Sequence, residues 1–183
     1  EISILRCLSN ITDGDENYEH PNIITIHDIC WYDGELAMVM PKMCICLYDA
    51  VKKDILNNKQ KIIISHGLIT AVGFLHANNI IHRDVKTDNV LLDDDMSAKL
   101  CDFSLAKFFD DKMEENGVTH TPEVGTVTYR APEQIWENCY SFSADVWSIG
   151  VVILEMFHGF IKTRKDKKAC NHIMELREKF GGK

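Results

Sequence analysis

The segment at 144–157 constrains the fold more than any other part of this 183-residue chain, because it is apolar on nearly every side. A helix without a polar face is normally buried at the centre of a domain, so other elements must pack around it. With 45% hydrophobic residues, the chain is long enough for one sizeable core and too short for two ordinary domains. We therefore expect one domain, or part of one, built around this helix, with Ser143 as its cap.

Three other segments have the periodicity of amphipathic helices. The clearest lies at 61–78, where apolar residues recur at helical spacing and predict one buried face. The residues around Leu5 predict the end of an amphipathic helix, and 172–180 predicts a last one before a double-glycine stop. The apolar positions of the 61–78 helix are Ile64, Leu68, Val72 and Leu75.

Strand predictions fall between these helices. The β-rich runs 23–30 and 35–40 flank Asp33 and Gly34, a pair that favours a hairpin of two antiparallel strands. Shorter strands are predicted at 91–92 and 98–101, on either side of a polar turn.

Charge and cysteine usage exclude several classes of protein. A net charge of −8 and a pI of about 5.4 argue against a nucleic-acid-binding surface. No window approaches the roughly 18 consecutive apolar residues of a membrane span, and the charged start does not look like a secretory leader. The seven cysteines are odd in number and dispersed, which favours reduced thiols over disulfides. We expect a protein of the cytoplasm and/or nucleus, without nucleic-acid or membrane partners.

Two short segments carry the residues that phosphoryl transfer requires. That reaction needs a base or orienter for the acceptor hydroxyl, a cation near the γ-phosphate, and oxygen ligands for Mg2+. Asp84 is the candidate base, and Lys86 can neutralise the transferring phosphate. Asn89 and Asp102 can supply oxygen ligands to the metal.

The order of these residues resembles the signature of eukaryotic protein kinases of the serine/threonine type, most closely the cyclin-dependent and MAP-kinase-like kinases. The pattern is His-Arg-Asp-x-Lys-x-x-Asn from His82, then Asp-Phe 13 residues after Asn89, then Ala-Pro-Glu from Ala131. The resemblance covers essentially the whole chain. It implies an α+β, protein kinase-like fold, mostly the helical C-terminal lobe with a remnant of the N-terminal lobe.

By this resemblance, residues 1–183 form a partial kinase domain. Residues 1–40 would be the N-terminal remnant, with helix C and two strands, and 41–46 the hinge. Residues 47–183 would be the C-terminal lobe, truncated after the helix that ends near 180.

The resemblance also assigns roles to individual residues. Asp84, Lys86 and Asn89 would be catalytic, together with Thr126, which would touch Asp84. Asn89 and Asp102 would bind Mg2+. Residues that would pack as the internal spine of the family are Leu5, Ile26, His82, Phe103 and Asp145.

The ATP site would draw on both lobes. Glu1 would belong to helix C, Met40 would line the back of the pocket, and Leu91 would lie under the adenine. Pro41 lacks an N–H, which is acceptable because the first hinge residue would offer the adenine only its carbonyl. Met43 would have to donate a backbone N–H to the adenine, and it has one. Ordinary core packing is the alternative for the methionines.

The segment before Ala131 resembles the activation loop of cyclin-dependent and related kinases. Thr121 sits where they are phosphorylated, and a phosphate there could pair with Arg83. An unmodified loop threonine is the alternative. Gly125 and Arg130 are typical of the proline-directed branch, so we expect a preference for Ser or Thr followed by Pro.

The chain departs from the family in two respects. Ser104 replaces the glycine after Asp-Phe, which narrows the range of backbone conformations that this turn can adopt. The Gly-rich phosphate-covering loop and the strand lysine would precede Glu1, so we expect the chain to be a fragment with little activity alone.

Three functions are compatible with these features. The first is an ATP-dependent protein serine/threonine kinase, and the complete catalytic set favours it. The second is an inactive kinase-like binding or regulatory module, favoured by Ser104. The third, a phosphotransferase for small molecules, is opposed by Thr126 and by the Ala-Pro-Glu motif. Protein substrates are the expected partners, and a cyclin-like subunit could bind helix C.

Overall fold

The computed structural model describes residues 2–10, 19–109, 127–136 and 141–160, which form a mixture of helices and short antiparallel strands. In chain order the helices are α1 (Ile2–Asn10), α2 (Leu47–Lys52), α3 (Asn58–Ala77), α4 (Pro132–Trp136) and α5 (Phe142–His158). The strands are β1 (Asp28–Tyr32), β2 (Glu35–Val39), β3 (Ile45–Cys46), β4 (Ile80–Ile81), β5 (Val90–Leu92), β6 (Ala98–Leu100) and β7 (Lys107–Phe108).

Helix α3 begins three residues earlier than its apolar periodicity predicted, because a capping box starts it. The Asn57 side chain accepts the N–H of Gln60 at 2.9 Å, and the Gln60 side chain accepts the N–H of Asn57 at 2.9 Å. This reciprocal pair satisfies two N–H groups that a helix start otherwise leaves without partners. The four predicted apolar positions of the helix are all fully or nearly fully buried.

The strands form three small antiparallel sheets, β1-β2, β3-β5-β6 and β4-β7. The predicted hairpin is confirmed: β1 and β2 are joined by Asp33 (φ 51°) and Gly34 (φ 83°), a two-residue turn with positive φ at both positions. The first strand was predicted too early, at 23–30. Its first half instead lies beside β6, where the N–H of Ile24 donates to the Leu100 carbonyl at 2.9 Å.

A close approach to α3 fixes this first segment. The Asn22 side chain donates to the Ala98 carbonyl at 2.9 Å. A Cβ on Gly67 would lie 2.6 Å from the same Asn22 amide, so the glycine makes room for the segment against the helix. Asn22 therefore lies against both β6 and α3.

Helix α5 packs against α3, as expected of the most apolar helix. Its burial is one-sided, however, because Val146, Leu154 and Phe157 remain exposed among the described residues. Ser143 does not cap it. The cap position is Ser141, and the Ser143 hydroxyl instead donates to the Glu133 carboxylate at 2.9 Å.

None of the helices in the described ranges combines the length and the apolar character that a membrane crossing requires. The segment predicted as a helix at 172–180 lies outside the described residues. The predicted boundaries of the two lobes and the hinge stay predictions.

Candidate active site

Residues 82–89, between β4 and β5, form a segment that we call the catalytic loop, because it carries the candidate catalytic residues. The carboxylate of Asp145 in α5 binds the start of this loop. Asp145 is buried. Its Oδ2 accepts the N–H of His82 and its Oδ1 accepts the N–H of Arg83, both at 2.9 Å. The Nε2 of His76 lies 2.9 Å from the same Oδ2. Arg83 has a left-handed backbone (φ 72°), which costs a non-glycine residue about 1–2 kcal/mol, so these bonds stabilise a strained turn.

His82 joins the catalytic loop to the segment that carries Asp102. Its ring is completely buried, and its Nε2 lies 3.1 Å from the Cys101 carbonyl, while its Nδ1 accepts the N–H of Asp84 at 3.4 Å. The ring also contacts the buried Phe103 ring edge-on, with 4.9 Å between centroids. These contacts confirm that His82 packs and positions, as the spine assignment predicted.

Burial lowers the pKa of His82, and the carboxylates of Asp145, Asp84 and Asp102 oppose this only in part. The neutral ring fits its hydrogen bonds: Nε2–H donates to a carbonyl, and Nδ1 accepts an N–H.

Two of the residues proposed for catalysis within the loop, Lys86 and Asn89, both bond to the third, Asp84. The Nζ of Lys86 lies 2.5 Å from Oδ2 of Asp84. The Nδ2 of Asn89 donates to the Asp84 carbonyl at 2.9 Å and to Oδ2 at 3.0 Å. A carboxylate, an ammonium group and an amide therefore meet in one short, half-buried turn that contains a 3-10 helix at Thr87–Asn89.

The backbone places the two candidate metal ligands side by side. Cys101, the residue before Asp102, donates its N–H to the Asn89 carbonyl at 2.9 Å. This bond brings the backbones next to the two candidate ligands together. Asp102 has a left-handed backbone (φ 62°), which Asp tolerates better than most residues. Its Oδ1 accepts the hydroxyl of Ser104 at 2.6 Å and the N–H of Ser104 at 3.3 Å.

These residues fit Mg2+ by the chemistry of their donors. The Nδ2 of Asn89 donates to Asp84, which leaves the Oδ1 of Asn89 as its candidate metal-binding atom. Asp102 offers a carboxylate. Within the described ranges, no group of three or more His, Cys, Asp or Glu side chains is placed to hold a metal. Mg2+ usually keeps several waters and binds proteins through one or two carboxylates together with substrate phosphates.

Of the residues predicted for adenine binding, Leu91 lies in the three-stranded sheet and Met43 directly precedes a residue bonded to it. The N–H of Cys44 donates to the Leu92 carbonyl at 2.9 Å, and Cys46 pairs with Leu91. Met43 and Leu91 are both half-buried against the core. Met40 is 42% exposed and follows the end of β2, with Pro41 next to it.

Several predicted site residues lie outside the described residues: Glu1, Thr121 and Thr126. The pairing of Arg83 with a phosphate on Thr121, and the contact of Thr126 with Asp84, therefore stay predictions. Arg83 and Arg130 are described and half-buried.

A buried polar network beneath the catalytic loop was missed from the sequence. The Tyr129 hydroxyl donates to Glu155 at 2.6 Å and accepts from the Thr87 hydroxyl at 2.8 Å. Burial, followed by the bond to Glu155, raises the pKa of Tyr129. Glu155 was the available signal, because a carboxylate within a largely apolar helix needs a partner when it is buried. The network ties the catalytic loop to α5 through the residues before α4.

Comparison with known proteins agrees with this geometry. The family described as "Protein kinase domain" matches residues 13–181. The CBL-interacting serine/threonine-protein kinase 15 of Arabidopsis thaliana is 33% identical over 183 residues, which cover 99% of this chain and 39% of that protein. The Cell division control protein 2 homolog 3 of Trypanosoma brucei brucei is 34% identical over 157 residues, covering 84% of this chain and 49% of that protein.

A solved structure with the same fold is the yeast RNA Pol II CTD kinase CTDK-1 complex, with a TM-score of 0.71 and 26% identity over 87% of this chain and 50% of that one. The chain thus belongs to the protein kinase family, and the expected α+β kinase fold is confirmed. Its relatives include serine/threonine kinases of several branches. The chain spans at most about half the length of these proteins.

The buried His82 predicts a pH dependence of stability. Its pKa is lowered in the folded state, so below about 6.5, its ordinary value, the unfolded chain binds a proton that the folded chain does not. The free energy of unfolding should therefore fall as the pH decreases through this range. Between pH 7.5 and 5.5, His82→Gln should reduce the fall by about 1 kcal/mol, measured by urea unfolding.

The exposed His27→Gln is the matched control, and it should keep the pH dependence of the unsubstituted protein. An unchanged pH dependence in His82→Gln would show that His82 is not the group responsible.

Proposed function

We propose that the whole protein containing this chain is an active protein serine/threonine kinase, which transfers the γ-phosphoryl group of ATP to Ser and Thr hydroxyls of protein substrates. One observation carries this proposal. Lys86 and Asn89 both bond to the Asp84 carboxylate, in a turn whose backbone also contacts the residue preceding Asp102. The family resemblance supports the same assignment.

Each residue has a definite task in this reaction. The Asp84 carboxylate orients the acceptor hydroxyl and receives its proton, and Asn89 keeps that carboxylate in place by donating to it. Lys86 lies against Asp84 in this structure and offers its positive charge to the transferring phosphoryl group. Asn89 and Asp102 would hold Mg2+, which would neutralise charge on the phosphoryl group that ATP would supply.

The alternative is a kinase-like module that binds without catalysing. Ser104 favours it, because the residue departs from the family pattern next to a metal ligand. The intact catalytic set opposes it, since a binding module has no chemical need for all of these residues.

Two further proposals concern partners. Protein substrates with Ser or Thr fit the family. By resemblance, a cyclin-like regulatory subunit would bind the predicted helix C, which is α1. It would contact the outer face of α1, where Ser3 and Arg6 are exposed. Purification of the whole protein from its own cells with no second subunit attached would argue against it.

The test of the catalytic proposal is Asp84→Asn in the whole protein. Phosphate transfer from radiolabelled ATP should fall by roughly 10²–10⁴-fold in kcat, because the acceptor hydroxyl loses its base. Binding of ATP, measured separately by calorimetry, should change by less than about twofold, since Asp84 is assigned to the acceptor hydroxyl.

The matched control is Asp88→Asn, which removes an exposed carboxylate from the same turn and should leave kcat unchanged. Activity of Asp84→Asn within about tenfold of the unsubstituted protein would contradict the proposal.

The preference for proline after the target residue is a finer proposal, supported by Gly125, by Arg130 and by the likeness to the Cell division control protein 2 homolog. Peptides that differ only in Pro or Ala after the target Ser should differ by at least about tenfold in kcat/KM. Equal kcat/KM values for the two peptides would remove this proposal and leave the catalytic one intact.

A further inference from the structure

Thr87 is a completely buried residue of the catalytic loop, directly after Lys86. Its hydroxyl lies 2.8 Å from the Tyr129 hydroxyl, which in turn lies 2.6 Å from Oε2 of Glu155. A tyrosine hydroxyl has one proton. Burial raises the pKa of Tyr129, so this proton is kept and donated to the carboxylate. Thr87 must then be the donor in its bond to Tyr129, and the hydrogen bonds run in one direction from the loop to α5.

Tyr129 is held by α5 at both of its ends. Its hydroxyl donates to Glu155, and its carbonyl accepts the hydroxyl of Ser148 at 2.8 Å. Ser148 and Glu155 are seven residues apart, so they lie on one face of the helix, two turns from each other. All three residues are buried. Tyr129 is therefore fixed on α5, and the Thr87 hydroxyl links the catalytic loop to this fixed residue.

Under the proposed function the catalytic loop serves two substrates, and Thr87 is connected to the side of the protein substrate. On the side of ATP, Asn89 is joined to the Cys101 backbone by a bond that does not involve Thr87. The features that favour a protein acceptor are Thr126 and the Ala-Pro-Glu motif, and Tyr129 lies between them in the sequence. The Thr87 hydroxyl therefore joins the catalytic loop to the part of the chain assigned to the acceptor.

We propose that Thr87 is a positioning residue, whose hydroxyl aligns the catalytic loop, and with it the Asp84 carboxylate, with the segment that receives the protein substrate. This inference rests on the proposed function, because it concerns the acceptor of the phosphoryl group. Thr87 contacts neither substrate itself, since it is completely buried. Removal of its hydroxyl should therefore change the alignment of the reacting groups, which sets kcat, and leave the binding of both substrates nearly unchanged.

The experiment is Thr87→Val in the whole protein, because valine has nearly the shape of threonine without its hydroxyl. With the better of the two peptides described above as the acceptor, kcat should fall roughly tenfold, the effect of one buried hydrogen bond. The KM values for the peptide and for ATP should stay within about twofold. Thr87→Ser keeps the hydroxyl and should restore kcat. Urea unfolding checks that each variant is folded, and Thr87→Ala takes the place of Thr87→Val if valine prevents folding.

A double-substitution cycle tests whether Thr87 acts through Tyr129. Tyr129→Phe removes the hydroxyl that Thr87 contacts, so Thr87→Val added to it should lower kcat by less than about a further twofold. Thr70→Val is the matched control, because it makes the same change at an exposed hydroxyl that bonds the His66 carbonyl within α3. It should leave kcat and both KM values unchanged.

Three outcomes would overturn the role of Thr87 and leave the proposed function intact. The first is a kcat of Thr87→Val within about twofold of the unsubstituted protein. The second is a Thr87→Ser variant as slow as Thr87→Val, because the hydroxyl would then not be the relevant group. The third is an equally large effect of Thr87→Val in the Tyr129→Phe background. Absence of phosphate transfer by the unsubstituted protein would contradict the proposed function and this inference together.

Discussion

The carboxylate of Asp145 accepts the N–H groups of His82 and Arg83, and the position of the catalytic loop depends on these two bonds. A buried carboxylate is costly unless donors surround it. Here two backbone donors and the His76 ring meet that need. One of these bonds is made by the N–H of Arg83, whose left-handed conformation is costly for a non-glycine residue. Helix α5 thus supports the candidate active site, in addition to packing against α3.

From this anchor the site is assembled through short links. His82 connects the loop to the Cys101 carbonyl and to Phe103, and the Cys101 N–H returns to Asn89. Asp84 and Asp102 lie on different segments of the chain. Asp84 is two residues from His82, and Asp102 lies between Cys101 and Phe103, so both are next to residues that make these contacts.

Much of the fold and site could be predicted from the sequence, for identifiable reasons. The apolar face of α3 and the Asp33-Gly34 hairpin follow from local periodicity and turn chemistry, and both are confirmed. The candidate catalytic residues were proposed because their spacing along the chain is specific. Asn89 and Asp84 contact each other over only five residues, so the sequence already places them together.

The features that were missed depend on contacts between distant segments. Thr87, Tyr129 and Glu155 are far apart in sequence, and no local pattern indicates that they share hydrogen bonds. Ser143 was assigned to the start of α5 by composition, but its hydroxyl contacts Glu133 of the preceding helix. Ser104 was interpreted through its backbone, whereas its side chain makes the more informative contact.

The most direct test of the support by Asp145 is amide hydrogen exchange at His82 and Arg83, compared between the unsubstituted protein and Asp145→Asn. The asparagine removes the charge and replaces one acceptor oxygen with an amide group. Exchange at these two amides should become at least about tenfold faster, while Leu68 in the middle of α3 should keep its rate. Unchanged exchange at His82 and Arg83, or an equal acceleration at Leu68, would contradict the view that Asp145 specifically holds the catalytic loop.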